Sequence, residues 1–98
     1  MGDRMLKRQS AKITNRLGLH ARAAGRLASL ASQFNATIAL EKGRQVASTD
    51  SIMELMMLTA GSGDTVTITT TGPESAGALQ AVASFIQNGF GEGMMEGE

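Results

Sequence analysis

Cysteine, tryptophan and tyrosine are absent from this 98-residue chain, phenylalanine occurs three times, and proline and histidine once each. Without cysteine there is no disulfide and no thiolate metal site, so stability has to come from a packed core. With Phe as the only aromatic, that core is aliphatic, built of Leu, Ile, Val, Met and Ala, and a hydrophobic share of 42% suffices for one modest core in a single domain. An excess of charge is lacking too, because nine basic and nine acidic residues cancel. That removes the electrostatic footprint of a nucleic-acid binder, and strands without aromatics give bases nothing to stack on. No apolar run reaches the length of a membrane span, and the charged start lacks the apolar stretch and cleavage site of a secretory signal. The chain is therefore expected in the cytoplasm, with no nucleic-acid or membrane partner, no metal and no other cofactor.

What is present centres on Leu17-Gly18-Leu19-His20-Ala21-Arg22-Ala23-Ala24. Ala11 to Thr14 alternates apolar and polar like a strand, Gly18 breaks the loop that follows, and a helical pattern starts at Ala21. His20 therefore falls at or next to a helix N-cap, where unpaired backbone N–H groups and the helix dipole make an anion site. Arg22 adds a permanent cation whose planar fork of donors suits phosphate oxygens. A histidine that is largely neutral near pH 7 keeps a nucleophilic ring nitrogen, so this pair can take and hold a phosphoryl group. A lone histidine is more often a surface or packing residue, and spacing alone does not separate the two readings.

Along the chain the spacing predicts a first strand over Leu6 to Thr14, with Ala11 and Ile13 inward and Ser10, Lys12 and Thr14 outward. A helix from Ala21 to about Gln33 carries Ala24, Leu27, Ala28 and Ala31 on one stripe, widened by Leu30 and Phe34; its small residues, Gly25 among them, suit a close approach to a sheet or are simply tolerated in a helix rich in alanine. Ala36 to Leu40 and Gln45 to Ser48 form a hairpin turning at Glu41-Lys42-Gly43-Arg44. Ser51 and Glu54 fit a capping box that starts a short helix, and six of the seven residues from Ile52 to Leu58 are apolar. Two turns of helix cannot bury their whole circumference on one sheet, so some of Ile52, Met53, Met56 and Met57 are expected outward, with Leu55 and Leu58 inward; the other reading is a wholly buried helix. Flexible, polarisable methionines suit a surface that fits several partners in turn. Thr65 to Thr71 alternates as a strand, Thr71-Gly72-Pro73-Glu74 reads as a second capping box, and a last helix over Glu74 to Asn88 stops at Gly89, with Phe90 following. The order strand, helix, strand, strand, helix, strand, helix predicts an α+β fold, a four-stranded antiparallel sheet with three helices on one face and the other face wet. Residues 1–5 are expected to be a flexible start, 6–90 the domain, and 91–98 a disordered acidic tail.

Gly18-Leu19-His20-Ala21-Arg22 resembles the active-site signature of the HPr family, the histidine-containing phosphocarriers of the phosphotransferase system. Ser51 to Leu58 resembles that family's regulatory-serine helix, and Gly89-Phe90-Gly91-Glu92 its usual ending. The resemblance covers roughly residues 6 to 92 and implies an open-faced β-sandwich of βαββαβα order. By motif it makes His20 the phosphoryl acceptor, Arg22 the phosphate-side cation and Ser51 the regulatory serine, phosphorylated in some bacteria by HPr kinase/phosphorylase. It implies a phosphoryl group received from enzyme I, drawn from phosphoenolpyruvate, and passed to an enzyme IIA domain. Such a protein is a covalent carrier with no turnover of its own, not an enzyme. Exposed Ile52, Met53, Met56 and Met57 would then be the docking patch. The stretch from Thr71 to Phe90 resembles the nitrogen-related NPr branch more than the sugar branch. Ala23 departs from the motif, where the family commonly has proline. Alanine is a strong helix former, so the change is expected to alter loop stiffness and leave the chemistry in place. A second reading is a non-catalytic regulatory binding module of the same fold, controlled through Ser51, with His20 incidental.

Overall fold

Strand periodicity and helical periodicity fall where the alternation and the apolar stripes lie. The computed structural model describes residues 6–92. In it β1 (Lys7–Lys12) is followed by α1 (Ala21–Ala31), β2 (Thr37–Lys42), β3 (Gln45–Ser48), α2 (Ile52–Met57), β4 (Thr65–Thr71), α3 (Ser75–Gln87) and a 3-10 turn at Gly89–Gly91. The four strands pair antiparallel in the order β1-β4-β2-β3. The expected α+β architecture, a four-stranded antiparallel sheet with three helices, is the one observed.

Alternate residues decide which face is dry. Ala11, Ile38, Leu40, Ala47, Val66 and Ile68 are buried and join Ala23, Ala24, Leu27, Leu55, Leu58, Val82 and Ile86 of the helices in one core. The opposite face carries Arg8, Ser10 and Lys12, all exposed. Thr69 on that face is nonetheless buried. It pairs with Arg8 on one side and Ala39 on the other, and the Arg8–Glu41 ion pair, 2.9 Å long, spans β4 from β1 to β2.

Element ends move where hydrogen bonds outside the local pattern take over. β1 stops at Lys12 instead of Thr14, because Ile13 bonds the loop before β4, through Asp64 O (2.9 Å) and Gly63 N (2.8 Å). α1 stops at Ala31 instead of Gln33, where the chain tightens into three-residue turns, Gln33 N to Leu30 O and Phe34 N to Ala31 O. The hairpin strands run on to Lys42 and Gln45, leaving Gly43-Arg44 as the turn, with Gly43 at φ 60°. The second capping box does not form: Glu74 caps α3 without a side-chain bond. Its carboxylate instead accepts from Asn35 N at 2.6 Å, while Glu74 N donates to Asn35 O. This reciprocal pair joins the end of α1 to the start of α3 and takes the oxygen that a cap would have used. Pro73 accordingly precedes the helix. Gly25 faces α2 and not the sheet: a methyl group there would meet Ile52 Cδ1 at 3.9 Å.

The largest difference lies past α3. Gly89, Phe90 and Gly91 all have positive φ, 70°, 57° and 77°, so the chain reverses sharply. The left-handed backbone costs about 1–2 kcal/mol at Phe90, and full burial of its ring against Phe85, edge to face with centroids 5.8 Å apart, offsets it. Glu92, placed in the sequence reading within the tail, is buried at 7% exposed. The rest of the expected tail, 93–98, and the expected flexible start, 1–5, lie outside the described residues.

Candidate functional site

His20 is the N-cap of α1, in extended conformation at φ −85°, ψ −179°. Its Nδ1 accepts from Arg22 N at 3.2 Å, and its backbone O accepts from Ala24 N at 2.8 Å. The N–H groups of Ala21 and Ala23 have no partner among the described residues. One edge of the imidazole thus faces the positive end of a helix, and Arg22 lies exposed on that helix's first turn.

The loop before His20 is held by its neighbour. Gly18, at φ 69°, lies against the backbone of Ala60 and Gly61, and Leu19 N donates to Ala60 O at 2.9 Å. That neighbouring loop is closed by Asp64, whose Oδ2 accepts from Gly61 N at 2.8 Å. The bond from Gly61, with nearby Lys42 adding to it, holds the Asp64 carboxyl below its ordinary value. A depressed carboxyl contributes stability above its unfolded value, so this loop's support is lost as pH falls through the acid range.

The other edge of the imidazole meets a residue that local sequence patterns assign to the tail. His20 Nε2 is hydrogen-bonded to Glu92 Oε2. Glu92 Oε1 accepts from Asn15 Nδ2 at 2.9 Å, and the same amide donates to Gly18 O at 2.9 Å. Asn15 and Glu92 are both buried, while the His20 side chain is 27% exposed. The turn that delivers Glu92 is fastened by Arg26 Nη1 on Phe90 O (3.4 Å) and Thr14 Oγ1 on Gln87 O (3.1 Å). Asn15 and Glu92 were not legible as site residues. The only signal was the Gly89-Phe90-Gly91-Glu92 ending itself, since 72 residues of sequence separate Glu92 from His20.

Ser51 is the N-cap of α2: its Oγ accepts from Glu54 N at 3.1 Å. Glu54 reaches past it to Ser48 N (2.9 Å), because Ser51 N already donates to Ser48 O. Ile52, Met53, Met56 and Met57 are 45%, 71%, 42% and 64% exposed, whereas Leu55 and Leu58 are buried. Ile52 also lies against α1 at Gly25, so the apolar side of α2 adjoins the helix that His20 caps. A shallow groove lined by Val46, Glu54, Met57 and Leu58 carries this surface onto β3.

A family model described as "PTS HPr component phosphorylation site" matches residues 7–88. The chain belongs to the HPr family. HPr proteins are phosphoryl carriers of the phosphotransferase system, and this one is such a carrier. It is 48% identical over 90 residues to the phosphocarrier protein HPr of Cupriavidus necator, covering 91% of this chain and 99% of that protein. It is 44% identical over 80 residues to the phosphocarrier protein NPr of Shewanella violacea, covering 82% and 88%. The crystal structure of a phosphocarrier protein HPr from Bacillus anthracis superposes with a TM-score of 0.80 at 34% identity, covering 84% of this chain and 98% of that chain. The family resemblance read from the motifs and the open-faced fold both stand, and the relatives include HPr and NPr proteins alike. Among the described residues no helix is long and apolar enough to cross a membrane.

Proposed function

We propose that His20 Nδ1 accepts the phosphoryl group from enzyme I and passes it to an enzyme IIA domain. The observation that carries this reading is His20 as the cap of α1, with Nδ1 against the Arg22 N–H and an exposed arginine side chain in the same turn. The lone pair on Nδ1 forms the new N–P bond, the donor's bond to phosphorus breaks, and the bonding pair leaves with the donor. As the ring turns from the Arg22 amide toward phosphorus, the first-turn N–H groups and the Arg22 guanidinium become donors to the phosphoryl oxygens. Transfer through a loose transition state needs mainly positioning and charge stabilisation. A carrier must also let go, and a partly open site on a helix end binds the group less firmly than a closed pocket would.

Incubation with phosphoenolpyruvate and enzyme I tests this: an acid-labile, base-stable phosphate adduct is expected. Failure to label, with docking through α2 intact, would leave the regulatory binding module as the function. Arg22→Ala should slow transfer in both directions at least about tenfold, which corresponds to about 1.4 kcal/mol of transition-state stabilisation, while the imidazole still accepts the group. Unchanged rates in rapid-quench experiments would reduce Arg22 to solvation.

The docking surface in this reading is Ile52, Met53, Met56 and Met57, and Ser51 is its switch, a site for HPr kinase/phosphorylase. A phosphate on Ser51 would sit at a helix start, which tolerates negative charge, and would bring about two negative charges to the apolar patch that partners must cover. Ser51→Asp can still cap α2, so it should weaken enzyme I binding more than it weakens the fold, and Met53→Glu should weaken binding without touching the cap. Ser51→Ala should do the reverse, losing about 1 kcal/mol of capping and keeping the uncharged surface. Calorimetric titrations in which enzyme I binds Ser51→Asp and Met53→Glu as tightly as wild type would remove α2 from the docking surface.

A further inference from the structure

The carboxylate on the far side of His20 does more than close the fold. Glu92 is buried, holds Nε2 of His20 with one oxygen and Asn15 with the other, and belongs to a turn locked by three successive left-handed residues. Burying a carboxylate is costly unless its oxygens are bonded, and here both are. A carboxylate is acceptor-only when ionised, so Nε2 must be the ring nitrogen that carries the proton. With the proton on Nε2, the neutral ring has its lone pair on Nδ1, the atom facing the helix start.

We infer that Glu92 is a positioning residue for phosphoryl transfer: it fixes the Nε2–H tautomer of His20 and stabilises the positive charge that the ring acquires when Nδ1 bonds phosphorus. This rests on the reading that Nδ1 is the acceptor. When Nδ1 shares its pair with phosphorus the ring keeps its Nε2 proton, so it becomes cationic, and the carboxylate 72 residues away in sequence becomes its counter-ion. No proton moves. On handing the group on, the N–P bond breaks, its electron pair returns to Nδ1, and the ring is neutral again with the tautomer unchanged. A carboxylate beside the imidazole of a hydrolytic triad orients the ring and stabilises its charge in the same physical way.

The chain of donors makes the glutamine variant informative. Asn15 Nδ2 is directed by Gly18 O, so the oxygen facing it on residue 92 must be an acceptor. In Glu92→Gln the amide oxygen therefore turns to Asn15, and the amide NH2 meets His20 Nε2. Nε2 must then accept, the ring proton moves to Nδ1, and the attacking nitrogen is blocked. In alkaline buffer, 15N chemical shifts of wild-type His20 should place the proton on Nε2, and those of Glu92→Gln should place it on Nδ1. Phosphorylation by enzyme I should slow at least about tenfold in the variant. A purely structural Glu92 would leave the tautomer where it was. Wild type with the proton on Nδ1, or a folded Glu92→Gln that keeps it on Nε2, overturns the inference. The wild-type spectrum decides even if the variant fails to fold. Because the tautomer is read on unphosphorylated protein, its failure is separate from a failure of His20 to accept phosphate. Normal tautomers in both proteins with no labelling of wild type would implicate the acceptor reading, whereas a shifted tautomer with unchanged transfer would overturn the role of Glu92.

Discussion

His20→Ala should give a folded protein that takes no phosphoryl group from enzyme I. The loss of acceptance is complete because the nucleophilic nitrogen is gone, and no cysteine or second histidine exists to replace it. The fold survives because the side chain is partly exposed and lies outside the aliphatic core, but it does not survive unchanged. Alanine removes the cap on Arg22 N, worth about 1 kcal/mol, and leaves buried Glu92 short of one partner, a further cost of about 1–3 kcal/mol. A domain of this kind has about 5–15 kcal/mol in hand, so circular dichroism should match wild type while the melting temperature falls. His20→Asn separates the two effects, because asparagine is a good N-cap: it should recover part of the stability and none of the acceptance. Acid-labile labelling retained in either variant would remove His20 from the chemistry.

Gly18→Ala should be the most destabilising single-methyl change in the site loop. The added carbon would lie 2.6 Å from Ala60 O and 2.7 Å from Gly61 Cα, both of them backbone atoms, at a φ of 69° that side chains rarely adopt. Relief requires the two loops to part, which breaks the Leu19 N to Ala60 O bond and moves Gly18 O away from Asn15. Backbone strain and the lost bond together amount to about 2–4 kcal/mol, or a fall in melting temperature on the order of 10–30 °C for a domain of this size. Gly43→Ala is the control. Gly43 has a similar φ of 60° and no atom within 4 Å of the added carbon, so it should lose only the backbone part, about 1–2 kcal/mol. Equal shifts for the two variants in calorimetry would mean that the loop contact contributes nothing. Gly18→Ala should also slow phosphoryl transfer, since Gly18 O directs Asn15 and accepts from His20 N.

Some of this protein is determined by the sequence locally. Alternation with period two and stripes with period 3.6 decide which segments are strands and helices, because burial of one face is the same requirement wherever the segment sits. Hence Leu55 and Leu58 are inward as expected, while the packed structure decides that all three methionines of α2 lie outward. The placement of His20 at a helix start is local too, since a glycine-broken loop followed by an alanine-rich stripe specifies an N-cap with no help from the rest of the chain. Ser51 as a cap is legible for the same reason.

Only the tertiary structure decided the rest. Glu74 looks like the closing member of a capping box, yet a backbone N–H of Asn35, 39 residues away, competes for its carboxylate and wins at 2.6 Å. Gly25 looks like a contact with the sheet, yet it receives Ile52 of α2. Asn15 and Glu92 carry no sign of a common site, because one sits in a polar loop and the other in a run of Gly, Glu and Met that reads as tail. They are joined by the left-handed turn at Gly89–Gly91 and the burial of Phe90. Local patterns report which face of a segment is apolar. They do not report which distant donor a buried carboxylate meets, since that depends on where the packed core sends the chain.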